Sequence, residues 1–180
     1  FKYLLGLVYS FGSPSFMVWS APLWFLTCIF VAEFILFIVL KNFKKTHIMF
    51  LVIGSVGYFY STFISFKLPW NIDVALIAVC FMYIGNRCRK INLFENVNRK
   101  KYAAILLAIF IISIMFNSQI DFNRRDFANI ILTYTSGVSG SLLILAIMKS
   151  IKQNKFLEFF GRNSLLMMGF TYSVLNFVMI

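Results

Sequence analysis

The chain has 180 residues, of which 61% are hydrophobic and only 13% are charged. Soluble domains carry about 45–50% apolar and about 25% charged residues, so the composition excludes an ordinary soluble enzyme and indicates an integral membrane protein. The formal net charge of +11 is typical of nucleic-acid binding in a soluble chain. Here basic loops at a cytoplasmic membrane face explain it, and we expect no nucleic-acid partner.

Apolar segments of membrane-spanning length follow one another along the chain. They predict an all-α fold, a polytopic helical bundle that forms a single transmembrane domain over residues 1–180. We expect about six spans, at about 22–40, 48–64, 70–86, 102–118, 127–148 and 164–180. Because the sequence begins with Phe1 and not with methionine, we expect it to be the C-terminal part of a longer protein.

The number of lysine and arginine residues alternates between the five connecting loops. Counted in order, the loops carry three, one, six, two and four of these bases. Basic loops remain on the cytoplasmic side of a membrane. The alternation therefore predicts that loops 41–47, 86–101 and 149–163 are cytoplasmic, and that loops 65–71 and 117–126 face the opposite side.

The third predicted span has an aromatic end and a basic end. Trp70 is expected at the headgroup level of the outer side. Asp73 suits the first turn of a helix, where the dipole favours negative charge, and the alternative is that Trp70 and Asp73 contact a polar acceptor. Arg87, Arg89 and Lys90 mark the cytoplasmic end. Their alternative role is to bind the phosphates of a nucleotide-bearing donor.

Glu33 is the acidic residue that lies well inside an apolar span, about 15 Å along the helix from its start and close to the bilayer centre. Ionisable groups at that depth normally face protein or a water-filled cavity. Glu33 is therefore either a proton acceptor or a substrate anchor, or a protonated group that bonds between helices. Cys28, Cys80, Cys88 and the single His47 lack the spacing of a metal site, and no metal is expected.

Small residues are concentrated in the fifth predicted span. Ser136 and Gly140, and likewise Gly137 and Ser141, lie four residues apart. This spacing allows helix backbones to approach closely, so tight packing is the first interpretation. The alternative is a helix whose small side chains leave room for a substrate tunnel.

The segment 150–160 mixes large apolar residues with lysines, which predicts a short helix that lies on the cytoplasmic membrane surface. Gly161 is expected to end this helix. Asn163 or Ser164 is then expected to cap the last span.

Three stretches resemble motifs of membrane-bound acyltransferase family 3. They are APLWFLTCIFVAEFILF (residues 21–37), LPWNIDVALIAVCFMYIGNRCRK (residues 68–90) and FLEFFGRNSLLMM (residues 156–168). The second stretch matches the family pattern at Pro69, Asp73, Ala75, Leu76, Ala78, Phe81 and Gly85. The resemblance covers nearly the whole chain but only the C-terminal half of a typical member.

The resemblance implies a bacterial inner-membrane O-acyltransferase. Such enzymes take an acyl group, usually acetyl, from acetyl-coenzyme A or another acyl-coenzyme A and deliver it to a sugar hydroxyl of a surface polysaccharide or lipid-linked glycan. The family's best-known catalytic residues lie on earlier helices, so none is carried over and this fragment alone is expected to be inactive. Many members have a histidine where this chain has Thr171.

Two other function classes remain open at this stage. A transporter or flippase fragment from a polysaccharide pathway shares the spans, the intramembrane acid and the small-residue helix, although no internal repeat is visible. A non-catalytic membrane module is the other, supported by Thr171 and by the missing earlier helices.

Overall fold

The computed structural model describes residues 9–10, 24–91, 99–149, 151 and 154–178. These residues are mainly helical and contain no β-strand, so the all-α prediction is confirmed. The helices are α1 (Trp24–Asn42), α2 (Thr46–Phe63), α3 (Ile72–Lys90), α4 (Arg99–Met115), α5 (Ile130–Met148) and α6 (Lys155–Val178). A 3₁₀ turn at Pro69–Asn71 leads directly into α3.

Four helical stretches in the described part of the chain are long and apolar enough to cross a membrane. They are Trp24–Asn42, Thr46–Phe63, Pro69–Lys90 and Ile130–Met148, and a shorter apolar stretch lies at Lys101–Met115. Large apolar side chains such as Phe34, Leu51 and Ile131 are exposed on these helices. Hydrocarbon tolerates helices because their backbone groups bond internally, and it is a suitable solvent for such surfaces. The prediction of a helical membrane bundle is confirmed.

Contacts divide the chain into two compact units, and the boundary falls within α3 after Ala78. The first unit comprises residues 1–78 and 153–180. In this unit α2 and α3 meet at Gly57, where an added Cβ would lie 2.6 Å from Leu76 Cβ and 3.2 Å from the carbonyl oxygen of Asp73. Glycine is therefore what allows α2 and the start of α3 to touch through their backbones.

The second unit, residues 79–152, is built on α4 and α5. An added Cβ at Gly140 would lie 2.8 Å from the Phe110 ring, and one at Gly137 would lie 2.6 Å from the Phe81 ring. The small-residue face of α5 is largely buried, at Thr133, Ser136, Ser139, Gly140 and Ala146. The interpretation of this stretch as a tightly packed helix is confirmed.

Side-chain hydrogen bonds order the loop between α4 and α5. The Asn129 side chain caps α5 by accepting hydrogen bonds from the backbone nitrogens of Ile131 at 3.0 Å and Leu132 at 3.3 Å. Asn117 accepts a bond from the Asn129 backbone nitrogen and donates one to the Thr133 hydroxyl. These bonds satisfy donors that an uncapped helix start leaves unpaired.

The end of the chain differs from the prediction. Gly161 does not end a surface helix, because α6 continues from Lys155 to Val178. Asn163 and Ser164 do not cap a new helix either. Their side chains donate to the carbonyl oxygens of Phe159 and Gly161 inside α6. The start of α6 is instead capped by Asn154, whose side chain accepts from the Phe156 backbone nitrogen at 2.9 Å.

Candidate functional site

A cavity of about 390 Å³ lies in the second unit, between the C-terminal halves of α3 and α5. This volume falls in the range of about 300–1,000 Å³ that is usual for small-molecule sites. Most of the wall is apolar. The lining residues are Phe81, Ile84, Gly85, Cys88, Arg89, Val138, Ser141, Leu142, Leu145 and Lys149.

Two cationic side chains lie at one end of this cavity, Arg89 on α3 and Lys149 immediately after α5. Arg89 forms no ion pair with a carboxylate in the described part of the chain. On α3 the lining extends from Phe81 to Arg89, which is about 12 Å along the helix axis. The cavity is therefore an elongated apolar slot with positive charge at one end.

Phe81 lies at the opposite end of the slot, where its ring contacts other aromatic rings. The Phe81 ring lies 4.5 Å from the Tyr134 ring and 6.2 Å from the Phe122 ring, measured between centroids. Gly137 provides the room for the Phe81 ring. Since α3 and α5 both run from the end at Phe81 toward the cationic end, they lie parallel along the cavity.

The three bases predicted to bind a donor do not share one face of α3. Arg89 lines the cavity, whereas Arg87 and Lys90 are absent from its wall. Residues three apart lie on the same side of a helix, so Arg87 and Lys90 form an exposed pair on another face. The sequence did not point to Lys149 as the residue that accompanies Arg89, because sixty positions separate the two.

A buried polar cluster lies in the first unit, where the 3₁₀ turn meets α1. The Asn71 side-chain nitrogen donates to the Ser10 carbonyl oxygen at 3.0 Å, and the Ser10 and Thr27 hydroxyls lie 2.8 Å apart. Asp73 is 1% exposed, and Cys28 on α1 is 3% exposed. Asn71 and Ser10 could not be paired from the sequence, because 61 positions separate them.

The two residues predicted on the acceptor side have opposite environments. Trp70 is 47% exposed and has a positive φ of 57°, which non-glycine residues seldom adopt. Asp73 lies in the first turn of α3, as the helix-dipole interpretation expects. Because its side chain is almost fully buried, a ligand at the described surface would meet Trp70 and not Asp73.

Glu33 lies on an exposed face of α1, together with Phe30 and Phe37. The described residues give it neither a hydrogen-bond partner nor an ion-pair partner. This environment favours neither role of Glu33, as a proton acceptor or substrate anchor or as a protonated group between helices. Both roles stay predictions. His47 is also exposed, at the start of α2.

No group of three or more His, Cys, Asp or Glu side chains in the described ranges is arranged to hold a metal ion. The three cysteines, all described, are free thiols. Cys88, which lines the cavity, is partly exposed and can serve as a chemical probe of that site.

Comparison with protein families gives a match to the acyltransferase domain of acyltransferase family 3 over residues 2–177. Neither the search of curated proteins nor the search of solved structures gave a match. The family match covers almost the whole chain and agrees with the three motif stretches, the helical fold and the membrane-spanning helices. The chain is therefore an acyltransferase domain that belongs to acyltransferase family 3.

Proposed function

We propose that this domain is part of a bacterial inner-membrane O-acyltransferase. It transfers an acyl group, acetyl by resemblance to the family, from a coenzyme A thioester to a sugar hydroxyl of a surface polysaccharide or glycolipid. The observation that carries this proposal is the family match over residues 2–177. The four membrane-spanning stretches fit an enzyme whose donor and acceptor meet within the bilayer.

The donor binds at the basic end of α3. Arg87 and Lys90 are exposed on one face of that end, close to Arg89 along the chain. Arginine and lysine are the side chains that proteins use for phosphate, and the phosphates of coenzyme A are its main charged groups. The loop 86–101 is cytoplasmic in the predicted topology, which is the side where coenzyme A thioesters occur. We therefore assign the donor phosphates to Arg87 and Lys90.

The acceptor binds near the opposite end of α3. Trp70 is exposed there, and an indole ring packs well against the apolar face of a sugar. Acyl transfer also requires a base that removes the proton from the acceptor hydroxyl. Glu33 is the candidate for that base within the described chain.

Acyl transfer by the complete protein in membrane vesicles tests the proposal. Acetyl-coenzyme A labelled in the acetyl group is added to the cytoplasmic face, and the glycan fraction is assayed for alkali-labile label. The proposal predicts labelled glycan. A transporter or flippase instead moves unlabelled glycan across the membrane and leaves the thioester intact, and that result would overturn the assignment.

A matched pair of variants locates the donor site in the same assay. Arg87→Ala with Lys90→Ala is expected to raise the donor concentration needed for half-maximal rate, because two phosphate contacts are lost. Lys44→Ala with Lys45→Ala removes the same charge from the loop 41–47 and is expected to leave that concentration unchanged. Equal effects of the two pairs would exclude a specific site at α3.

A further inference from the structure

The cavity between α3 and α5 has a composition that the proposed acyl transfer does not explain. Its wall is apolar over about 12 Å of helix length, with Phe81 at one end and Arg89 and Lys149 at the other. Its polar wall residues apart from these two cations are Ser141 and Cys88. The Ser141 hydroxyl already donates to the Gly137 carbonyl oxygen at 2.7 Å.

We propose that this cavity binds an anionic phospholipid, with one acyl chain in the apolar slot and the phosphate between Arg89 and Lys149. Basic pockets between transmembrane helices are sites where anionic lipid headgroups bind. Arg89 lies in the last turn of α3 and Lys149 immediately follows α5, and the carbonyl ends of helices favour cations at both positions. Their phosphate partner then lies at the level of the membrane surface while its chain extends along the helices toward Phe81.

A coenzyme A donor fits this cavity less well than a phospholipid does. In coenzyme A a polar arm with two amides follows the phosphates, and buried amides need hydrogen-bond partners. The slot offers little beyond Cys88 and the engaged Ser141 hydroxyl for that purpose. In a phospholipid, hydrocarbon begins a short distance from the phosphate, which matches a wall that becomes apolar immediately behind Arg89.

Protection of Cys88 from a maleimide measures occupancy of the cavity. The complete protein in neutral detergent is titrated with dioleoyl phosphatidylglycerol or with dioleoyl phosphatidylcholine, which has the same chains and a zwitterionic head. A Cys88→Ser variant gives the background from other thiols. The proposal predicts that phosphatidylglycerol slows labelling of Cys88 in a saturable way. Equal protection by phosphatidylcholine would overturn it.

Two charge variants separate this site from general attraction to the membrane surface. Arg89→Gln with Lys149→Gln is expected to weaken phosphatidylglycerol binding by roughly 30-fold, at the usual strength of attraction for each basic residue near a lipid surface. Arg87→Gln with Lys90→Gln removes the same charge from another face and is expected to leave binding unchanged. Equal losses in both variants, or displacement of the lipid by coenzyme A, would contradict the proposal.

The hydrocarbon part of the proposal has its own test, which does not depend on the charged residues. A side chain at Gly85 begins in open space and extends into the cavity. Gly85→Leu is therefore expected to fill the slot and abolish protection by phosphatidylglycerol. Gly161→Leu, at an equally open helical position that is not part of the cavity wall, is expected to bind normally. Undiminished binding by Gly85→Leu would show that the chain lies elsewhere.

Discussion

Substitution of Gly57 by alanine tests the packing of α2 against α3 most sharply. The new Cβ would lie 2.6 Å from Leu76 Cβ and 3.2 Å from both the Asp73 carbonyl oxygen and Ile77 Cγ1. Leu76 Cβ and the Asp73 carbonyl oxygen are fixed by the backbone, so no rotamer change relieves these two contacts and the helices must separate. Overpacking of this kind costs about 1–3 kcal/mol, and the upper end applies here.

Alanine also favours a helix over glycine by about 1 kcal/mol. The net expectation for Gly57→Ala is therefore a loss of about 2 kcal/mol in the free energy of unfolding. Gly161→Ala is the matched control, since its Cβ meets no atom within 4 Å. The control should gain up to about 1 kcal/mol from the same helix preference.

Unfolding by sodium dodecyl sulfate in mixed micelles, followed by circular dichroism, compares the two variants with the parent protein. The order of stability should be Gly161→Ala, then the parent, then Gly57→Ala. If Gly57→Ala is as stable as the Gly161→Ala control, α2 and α3 do not touch through their backbones at Gly57.

Three further substitutions test other contacts of the fold by the same unfolding measurement. Asn129→Ala removes the cap of α5 and should lower the free energy of unfolding by about 1 kcal/mol. The control Asn163→Ala on α6 should change it by less than about 0.5 kcal/mol. Equal effects of the two substitutions would refute the cap. Asn71→Ala loses the hydrogen bond to Ser10 and places alanine at a φ of 53°. Asn71→Gly loses the same bond without the strain, so Asn71→Ala should be the less stable of the two. The reverse order of stability would contradict a strained turn at this position. Gly140→Ala should destabilise the fold, because its new Cβ would lie 2.8 Å from the Phe110 ring. Adding Phe110→Leu should restore part of the lost stability. If the effects of the two substitutions simply add, residues 140 and 110 do not touch.

The lengths of the apolar runs were sufficient to predict α1 to α5, whereas α6 begins earlier than expected. In hydrocarbon the backbone N–H and C=O groups of a segment must bond to each other. A long apolar segment therefore favours a helix. The small residues of α5 likewise predicted close packing correctly, since aromatic rings lie directly against Gly137 and Gly140. Helix formation and the positions of small residues depend on neighbouring residues in the chain, so short sequence patterns predict them.

Contacts between distant positions could not be predicted in the same way. The slot that joins Arg89 with Lys149, and the hydrogen bond between Ser10 and Asn71, depend on how helices pack and not on spacing along the chain. The basic residues after Ile84 resembled one cluster in the sequence, but the turn of the helix directs Arg89 to a different face from Arg87.

Gly161 shows the limit of local rules even within one element. Glycine within a helix costs about 1 kcal/mol relative to alanine, which is a weak preference that neighbouring residues can overcome. On α6 the Glu158–Arg162 ion pair joins positions four apart on either side of Gly161, at 2.6 Å. Such pairs add a few tenths of a kcal/mol each, and the apolar stretch beyond Ser164 extends the helix further.

Equilibrium binding of coenzyme A to the complete protein tests most directly whether the acyl donor binds at the basic end of α3. Binding to the parent is compared with Arg87→Gln plus Lys90→Gln, and with Lys44→Gln plus Lys45→Gln as a control of equal charge. Loss of two charge-assisted phosphate contacts should weaken binding at least about tenfold in the first variant, with no change in the control. Equal affinity in both variants would contradict a donor site on α3.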